Sequence, residues 1–125
     1  MSKAVLSEAM IQASIIEYLA ARHIFALRLN SGTMMSTYKG KSYRTALCAP
    51  GTADILAFPH IPITLFKGEN RYETIVDRFL PLWLEVKSAT GKQTPVQKSF
   101  QRQVEDEGHK YVIVRSIEDV AEALR

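Results

Sequence analysis

The segment Trp83-Leu84-Glu85-Val86-Lys87 limits what this chain can fold into more than any other stretch. Its apolar content reads as a buried strand. A strand alternates faces with period two, so Trp83, Glu85 and Lys87 point one way while Leu82, Leu84 and Val86 point the other. A carboxylate and an ammonium on one face of a buried strand are costly unless they pair or bind a metal or an anion. The segment therefore requires either a structural ion pair or a site.

A second acid bears on that choice. Gly51-Thr52-Ala53-Asp54-Ile55-Leu56-Ala57-Phe58 opens with a turn residue and continues as an apolar strand, which puts Asp54 near the strand's start. Residues 55–84 are enough for two adjacent strands joined by an ordered loop or hairpin. Two carboxylates at the ends of neighbouring strands repel by about 4 kcal/mol at about 4 Å and an effective dielectric near 20, unless a cation lies between them. Hard oxygen ligands of this kind select Mg²⁺ or Mn²⁺ over zinc. The structural alternatives are a turn-capping role for Asp54 and a cross-strand ion pair at a sheet edge for Glu85 with Lys87.

With 125 residues, 46% of them hydrophobic and 23% charged, residues 1–125 make one domain with a core of its own. No apolar run approaches a membrane span. Met1-Ser2-Lys3-Ala4 leads into an amphipathic segment interrupted by Glu8 and Gln12, unlike a signal peptide, so a cytoplasmic protein without a membrane partner is expected. The single cysteine, Cys48, precludes an intramolecular disulfide and a cysteine zinc site and reads as a small loop residue. His23, His60 and His109 lack partners at metal-ligand spacing.

The formal net charge of +3 permits nucleic-acid binding without establishing it. Lys39, Lys41 and Arg44 fall with Tyr38 and Tyr43 in one expected loop, and Lys92, Lys98 and Arg102 surround the start of a later helix. These six are the candidate DNA contacts. Solvated surface charge is the alternative for each.

Residues 7–22 carry Ile11, Ile15, Tyr18 and Leu19 at helical spacing, with Glu8 beside the core-facing stripe and Glu17 on a solvated side. Residues 25–31 alternate as a strand, with Phe25, Leu27 and Leu29 on one face, and Gly32 ends it. The polar stretch to Pro50, including Tyr43 to Leu47, reads as a long loop or irregular hairpin able to contact substrate. Pro59-His60-Ile61-Pro62 marks the exit from the Asp54 strand and Lys67-Gly68-Glu69-Asn70 a turn, while residues 63–80 carry no clear pattern. Thr94, Pro95 and Gln97 signal a helix start with a capping box, followed by a buried stripe of Val96, Phe100 and Val104 and a stop at Gly108. Residues 111–115 read as a central strand, and Ser116 with Asp119 caps a last helix through Leu124.

Glu8 on the first helix, Leu29-Asn30-Ser31-Gly32, Gly51-Thr52-Ala53-Asp54-Ile55, Leu84-Glu85-Val86-Lys87, Gly91-Lys92-Gln93-Thr94 with Gln97, and Val112-Ile113-Val114-Arg115-Ser116 form an ordered set over nearly the whole chain. The set resembles the PD-(D/E)XK nuclease superfamily and, within it, the virus-type replication-repair nuclease domain, VRR-NUC. An isolated Glu-x-Lys is common on surface strands, so the resemblance lies in the order of the whole set. One departure is Thr52-Ala53 before the acid, where the superfamily name places a proline; Pro50 precedes Gly51 instead.

The resemblance implies an α/β fold with a restriction-endonuclease-like core, a central mixed sheet flanked by helices in the order α-β-β-β-α-β-α. It implies a Mg²⁺- or Mn²⁺-dependent, structure-selective endonuclease that hydrolyses phosphodiester bonds of Holliday junctions or other branched DNA. A homodimer acting in bacterial or phage DNA repair belongs to the same expectation. Asp54, Glu85 and the backbone carbonyl of Val86 would hold the metal, and Lys87 would orient the attacking water. Glu8 would complete the acidic shell, and Gln97 would position a water or the Lys87 ammonium. Helix-dipole stabilisation alone would also explain Glu8, and the capping box alone would explain Gln97. A non-catalytic branched-DNA-binding module of the same fold is the second expectation, and an unrelated α/β domain with a structural ion pair the third.

Overall fold

Ser7 closes the start of the first helix by accepting the Met10 N–H on its hydroxyl at 3.2 Å, leaving Ile11, Ile15 and Leu19 stacked along one buried face. The computed structural model describes residues 6–29, 33–46, 48–67 and 72–125. Among them the elements run α1 (Glu8–Ala21), β1 (Phe25–Arg28), β2 (Thr33–Tyr38), β3 (Lys41–Ala46), β4 (Ile55–Phe58), β5 (His60–Lys67), β6 (Tyr72–Phe79), β7 (Leu82–Val86), α2 (Pro95–Asp106), β8 (Lys110–Val114) and α3 (Ile117–Ala123). No described helix is long and apolar enough to cross a membrane.

The central sheet is mixed, in the order β1-β4-β7-β8, with β1–β4 and β4–β7 antiparallel and β7–β8 parallel. A parallel pair needs a crossover, and α2 supplies it. α1 and α3 cover one face, where Ile11, Ile15, Leu19 and Val120 meet Ile55, Leu84, Val86 and Val114. α2 covers the other, where Val104 and Phe100 meet Tyr111, Trp83, Ala53 and Ile113. Each fully buried Ile or Leu removes enough apolar area from water to contribute about 1.5–3 kcal/mol. Trp83 belongs to this second core: it lies edge-on to Phe100 at 5.1 Å, and its indole N–H donates to His109 Nδ1 at 3.0 Å.

Several elements differ from the sequence reading. The order α-β-β-β-α-β-α is not the observed one, because two hairpins, β2–β3 and β5–β6, are inserted. The polar stretch before Pro50 is a regular hairpin of six paired positions, and residues 63–80 belong largely to a second one of eight. Pro62 does not end that strand region but pairs with Asp77 inside β5–β6. Backbone pairing defines both hairpins, each a two-stranded ribbon apart from the central sheet. Asn30, Ser31, Gly32 and Leu47, and the Gly68-Glu69-Asn70 part of the expected turn, lie outside the described residues.

β8 is an edge strand, not a central one. Helices cover both of its faces, burying Tyr111 and Val114, and two-sided burial yields the same apolar composition at an edge as at the centre. At the opposite edge, Phe25 is 64% exposed and Leu27 exposed too, while Ala26 packs on the core. α2 lies over β8, and on β1 the Phe25 ring meets Phe58 at 5.8 Å. Val96 is 52% exposed instead of completing the α2 stripe. It packs over Gly51, which has no side chain to cover it.

Gly51 is constrained twice. Its φ of +87° favours glycine, and a Cβ there would stand 2.6 Å from the Val96 carbonyl oxygen and 2.7 Å from its Cγ1. Left-handed strain and the clash each cost about 1–3 kcal/mol. Gly51→Ala should therefore lower stability by about 2–4 kcal/mol in urea unfolding, and the turn that delivers Asp54 should be displaced with it. An unchanged urea midpoint would contradict the close approach of this turn to α2.

Candidate active site

The β4–β7 ladder ends at the pair Ile55–Leu84, and one further step of that register sets Asp54 beside Glu85 on the α2 face. The backbone bends at Asp54, so the Val86 N–H, which would have bonded to the next carbonyl of β4, donates to Asp54 Oδ2 at 2.7 Å. Asp54 is held at its backbone as well, its carbonyl accepting the Leu29 N–H at 2.7 Å. The N–H and C=O of a strand residue face the same edge, so the Val86 carbonyl is directed to the side where Asp54 lies.

Glu85 is only 2% exposed and Lys87 only 6%. The Lys87 Nζ lies 3.6 Å from Glu85 Oε1, and Gln97 Nε2 donates to the same oxygen at 2.9 Å. Glu85 Oε2 is buried with no hydrogen-bond partner among the described residues. The Lys87 backbone N–H donates to the Val114 carbonyl at 3.0 Å, which fixes the strand end from which the ammonium extends.

Gln97 serves the helix cap and the carboxylate together. Its Oε1 accepts the Thr94 N–H at 2.9 Å while its own N–H donates to Thr94 Oγ1 at 3.2 Å, completing the capping box. The cap consumes the amide oxygen, so only the NH₂ end is left to face Glu85. The capping box is thus present, and the amide expected to meet a water or the Lys87 ammonium donates to Glu85 instead.

Burial pushes the Glu85 carboxyl up from 4.5 to about 8, and the neighbouring Asp54 charge adds to the rise against the pull of Lys87. Tyr111, deeper on the same face, is raised to about 12, first by burial; Gln93 Nε2, donating to its hydroxyl at 3.2 Å, opposes this, and the charges of Glu85, Asp54 and Glu105 add to it.

Glu8 approaches from α1, exposed in its first turn. Its Oε1 is 3.2 Å from where a Cβ on Gly91 would stand, and the Lys87 Cδ is 3.4 Å from that point, so the glycine makes room for both chains. Arg115 holds the Gly91 loop, its Nη1 donating to the carbonyls of Ser88 and, at 2.8 Å, Gly91. A pocket of about 160 Å³ opens between Glu8, Ala9, Gln12, Asp54 and Val86. A larger one of about 290 Å³, near Pro59, Leu82 and Lys110, lies at the other end of the sheet and touches none of these acids.

Asp54, Glu85, Val86, Lys87 and Gln97 thus meet in one cluster. Glu8 faces the pocket without joining it, and no group of three or more His, Cys, Asp or Glu among the described residues is placed to hold a metal. The three-acid shell is not assembled because Glu8 stands on the exposed start of α1. Two carboxylates, a backbone carbonyl and a buried carboxylate oxygen without a protein donor nonetheless suit Mg²⁺ or Mn²⁺, which are held by one or two carboxylates and keep several waters.

Of the cationic residues, Lys39 and Lys41 are exposed beside the β2–β3 turn, with the Lys39 Nζ 5.5 Å from the Tyr38 ring centre. Arg44 stands in β3 opposite Met35. Lys92 is exposed in the loop before α2, and Lys98 and Arg102 are exposed one turn apart on α2. Cys48 is half-buried and unpaired. Sequence reasoning gave no role to Gln12, Gln93 or Arg115, although Gln93 and Arg115 fall within the ordered set, and Gln12 follows Glu8 by four residues and precedes Ile15 by three, which puts an amide on the core-facing side of the helix.

Because the folded-state value for Glu85 lies above its unfolded one, the group favours the folded state fully below about 4.5 and progressively less as pH rises through about 8. The metal-free protein should therefore lose thermal stability between pH 5 and pH 9, and Glu85→Gln should flatten that decline. Parallel melting curves at stepped pH test this; equal slopes for the two proteins would place Glu85 in a solvated setting. In comparison with known proteins, the chain matches no family model, no curated protein and no solved structure.

Proposed function

We propose that this chain is a metal-dependent DNA endonuclease of the PD-(D/E)XK superfamily, VRR-NUC type, acting on Holliday junctions or other branched DNA as a homodimer. The single observation that carries the reading is the buried, unpartnered Glu85 Oε2 beside Asp54 with the Lys87 ammonium on the same strand face. A plain structural ion pair would satisfy both carboxylate oxygens and would not need a second acid next to it. The order of elements supports the same core: with the two hairpins set aside, α1, β1, β4, β7, α2, β8 and α3 follow the expected sequence. Branch preference, dimerisation and a bacterial or phage repair role rest on the family resemblance.

Asp54, Glu85 and the Val86 carbonyl would hold Mg²⁺ or Mn²⁺. When bound, such an ion acidifies a water and neutralises charge on phosphate oxygens. The chain's own groups do the rest. The Val86 N–H aims the Asp54 carboxylate, and Gln97, locked by its cap, holds Glu85 Oε1 so that Oε2 remains available. Lys87 places a positive charge where an attacking water and the extra phosphate charge of the transition state would lie. Lys39, Lys41, Arg44, Lys92, Lys98 and Arg102 would contact backbone phosphates, giving affinity that falls steeply with salt and depends weakly on sequence.

The test is cleavage of linear, flapped and four-way DNAs with Mg²⁺ and with Mn²⁺. Lys87→Ala and Asp54→Ala should each lower the rate at least about a hundredfold while retaining junction binding. Cleavage that survives both substitutions would reject the site. Junction binding without any cleavage in the wild type would favour a non-catalytic binding module.

A further inference from the structure

Gln12 is the one buried polar residue of α1, 8% exposed on a helix face otherwise made of Ile11, Ile15 and Leu19. Its amide makes no hydrogen bond among the described residues, yet it lines the pocket shared by Glu8, Asp54 and Val86. The amide therefore meets the pocket with its hydrogen-bonding and ligating capacity open to whatever enters. The lining decides what can enter. Two carboxylates repel a phosphate or any other anion and attract a cation, and a glutamine carbonyl is a hard oxygen of the class that divalent cations bind.

We propose that Gln12 supplies a neutral oxygen ligand, directly or through one water, to a divalent cation held between α1 and the Asp54 turn. The inference rests on the metal-dependent reading above and adds to it a residue that no motif pointed to. Glu8 lies one helical turn before Gln12, so both side chains reach the same pocket from the same face. The amide oxygen provides what the acids lack. No group of three or more His, Cys, Asp or Glu among the described residues is placed to hold a metal, and a neutral oxygen adds a ligand without a further negative charge.

The experiment is titration of the metal-free protein with Mn²⁺, followed by electron paramagnetic resonance of the free ion and by calorimetry. It compares wild type, Gln12→Met and Gln12→Glu, with the melting temperature of each recorded without metal. Gln12→Met keeps the volume and removes the oxygen; Mn²⁺ affinity should fall about tenfold while the metal-free melting temperature holds or rises, since an unpartnered amide is lost. Gln12→Glu restores an oxygen and should recover wild-type affinity or exceed it, at lower metal-free stability. Wild-type affinity in Gln12→Met would overturn the assignment and leave the metal centre intact. So would failure of Gln12→Glu to recover binding. No Mn²⁺ binding by the wild type would overturn both the assignment and the metal-dependent reading.

Discussion

A carboxylate with one satisfied oxygen and one bare one, buried between two helical layers, is the constraint around which the rest of this molecule is arranged. Glu85 cannot reach water, so each neighbour has to manage its charge. Lys87 lies on the same strand face and offsets part of it, Gln97 donates to the inner oxygen, and Asp54 works in the opposite direction. An arrangement chosen for stability alone would not add the second acid. Removing a buried charged pair for apolar residues is often neutral or stabilising. The acid next to Glu85 is therefore a cost that the surrounding packing has to offset.

That scaffold works by making single groups answer two demands. The amide of Gln97 starts α2 and orients Glu85; the Val86 N–H ends the β4 ladder and aims Asp54; Gly51 turns the chain and lets α2 approach; Arg115 ties the Gly91 loop into the space beside Lys87 and Glu8. Each contact is modest, about 1 kcal/mol net for an ordinary hydrogen bond. Their value lies in precision. Because strand ends and a helix N-terminus carry the polar groups, their positions are inherited from packing on both faces of the sheet and not from flexible loops.

The parts of the site that could be read in advance are those whose chemistry is local. Period-two alternation placed Trp83, Glu85 and Lys87 on one face, and the Thr94–Gln97 capping box needs only four consecutive residues. Helical spacing found the buried side of α1 through Ile11, Ile15 and Leu19. The first hairpin is legible only as a loop or irregular hairpin and the second not at all, because pairing within a two-stranded ribbon is set by backbone contacts and not by composition. β8 was misplaced for a related reason: composition reports how many faces are covered and is silent about neighbours along the sheet.

What the amino-acid order determined by itself was therefore a set of elements and the side each residue takes within its own element, since dihedral periodicity and capping act over a few residues. Which elements become neighbours depends on loop closure and on shared burial across long separations, and that was settled only by the tertiary structure. It set Asp54 one step beyond the last β4–β7 pair, next to Glu85, and left Glu8 across a pocket from Asp54. It also brought Gln12, a polar residue in a helix, to the pocket that Glu8 and Asp54 line.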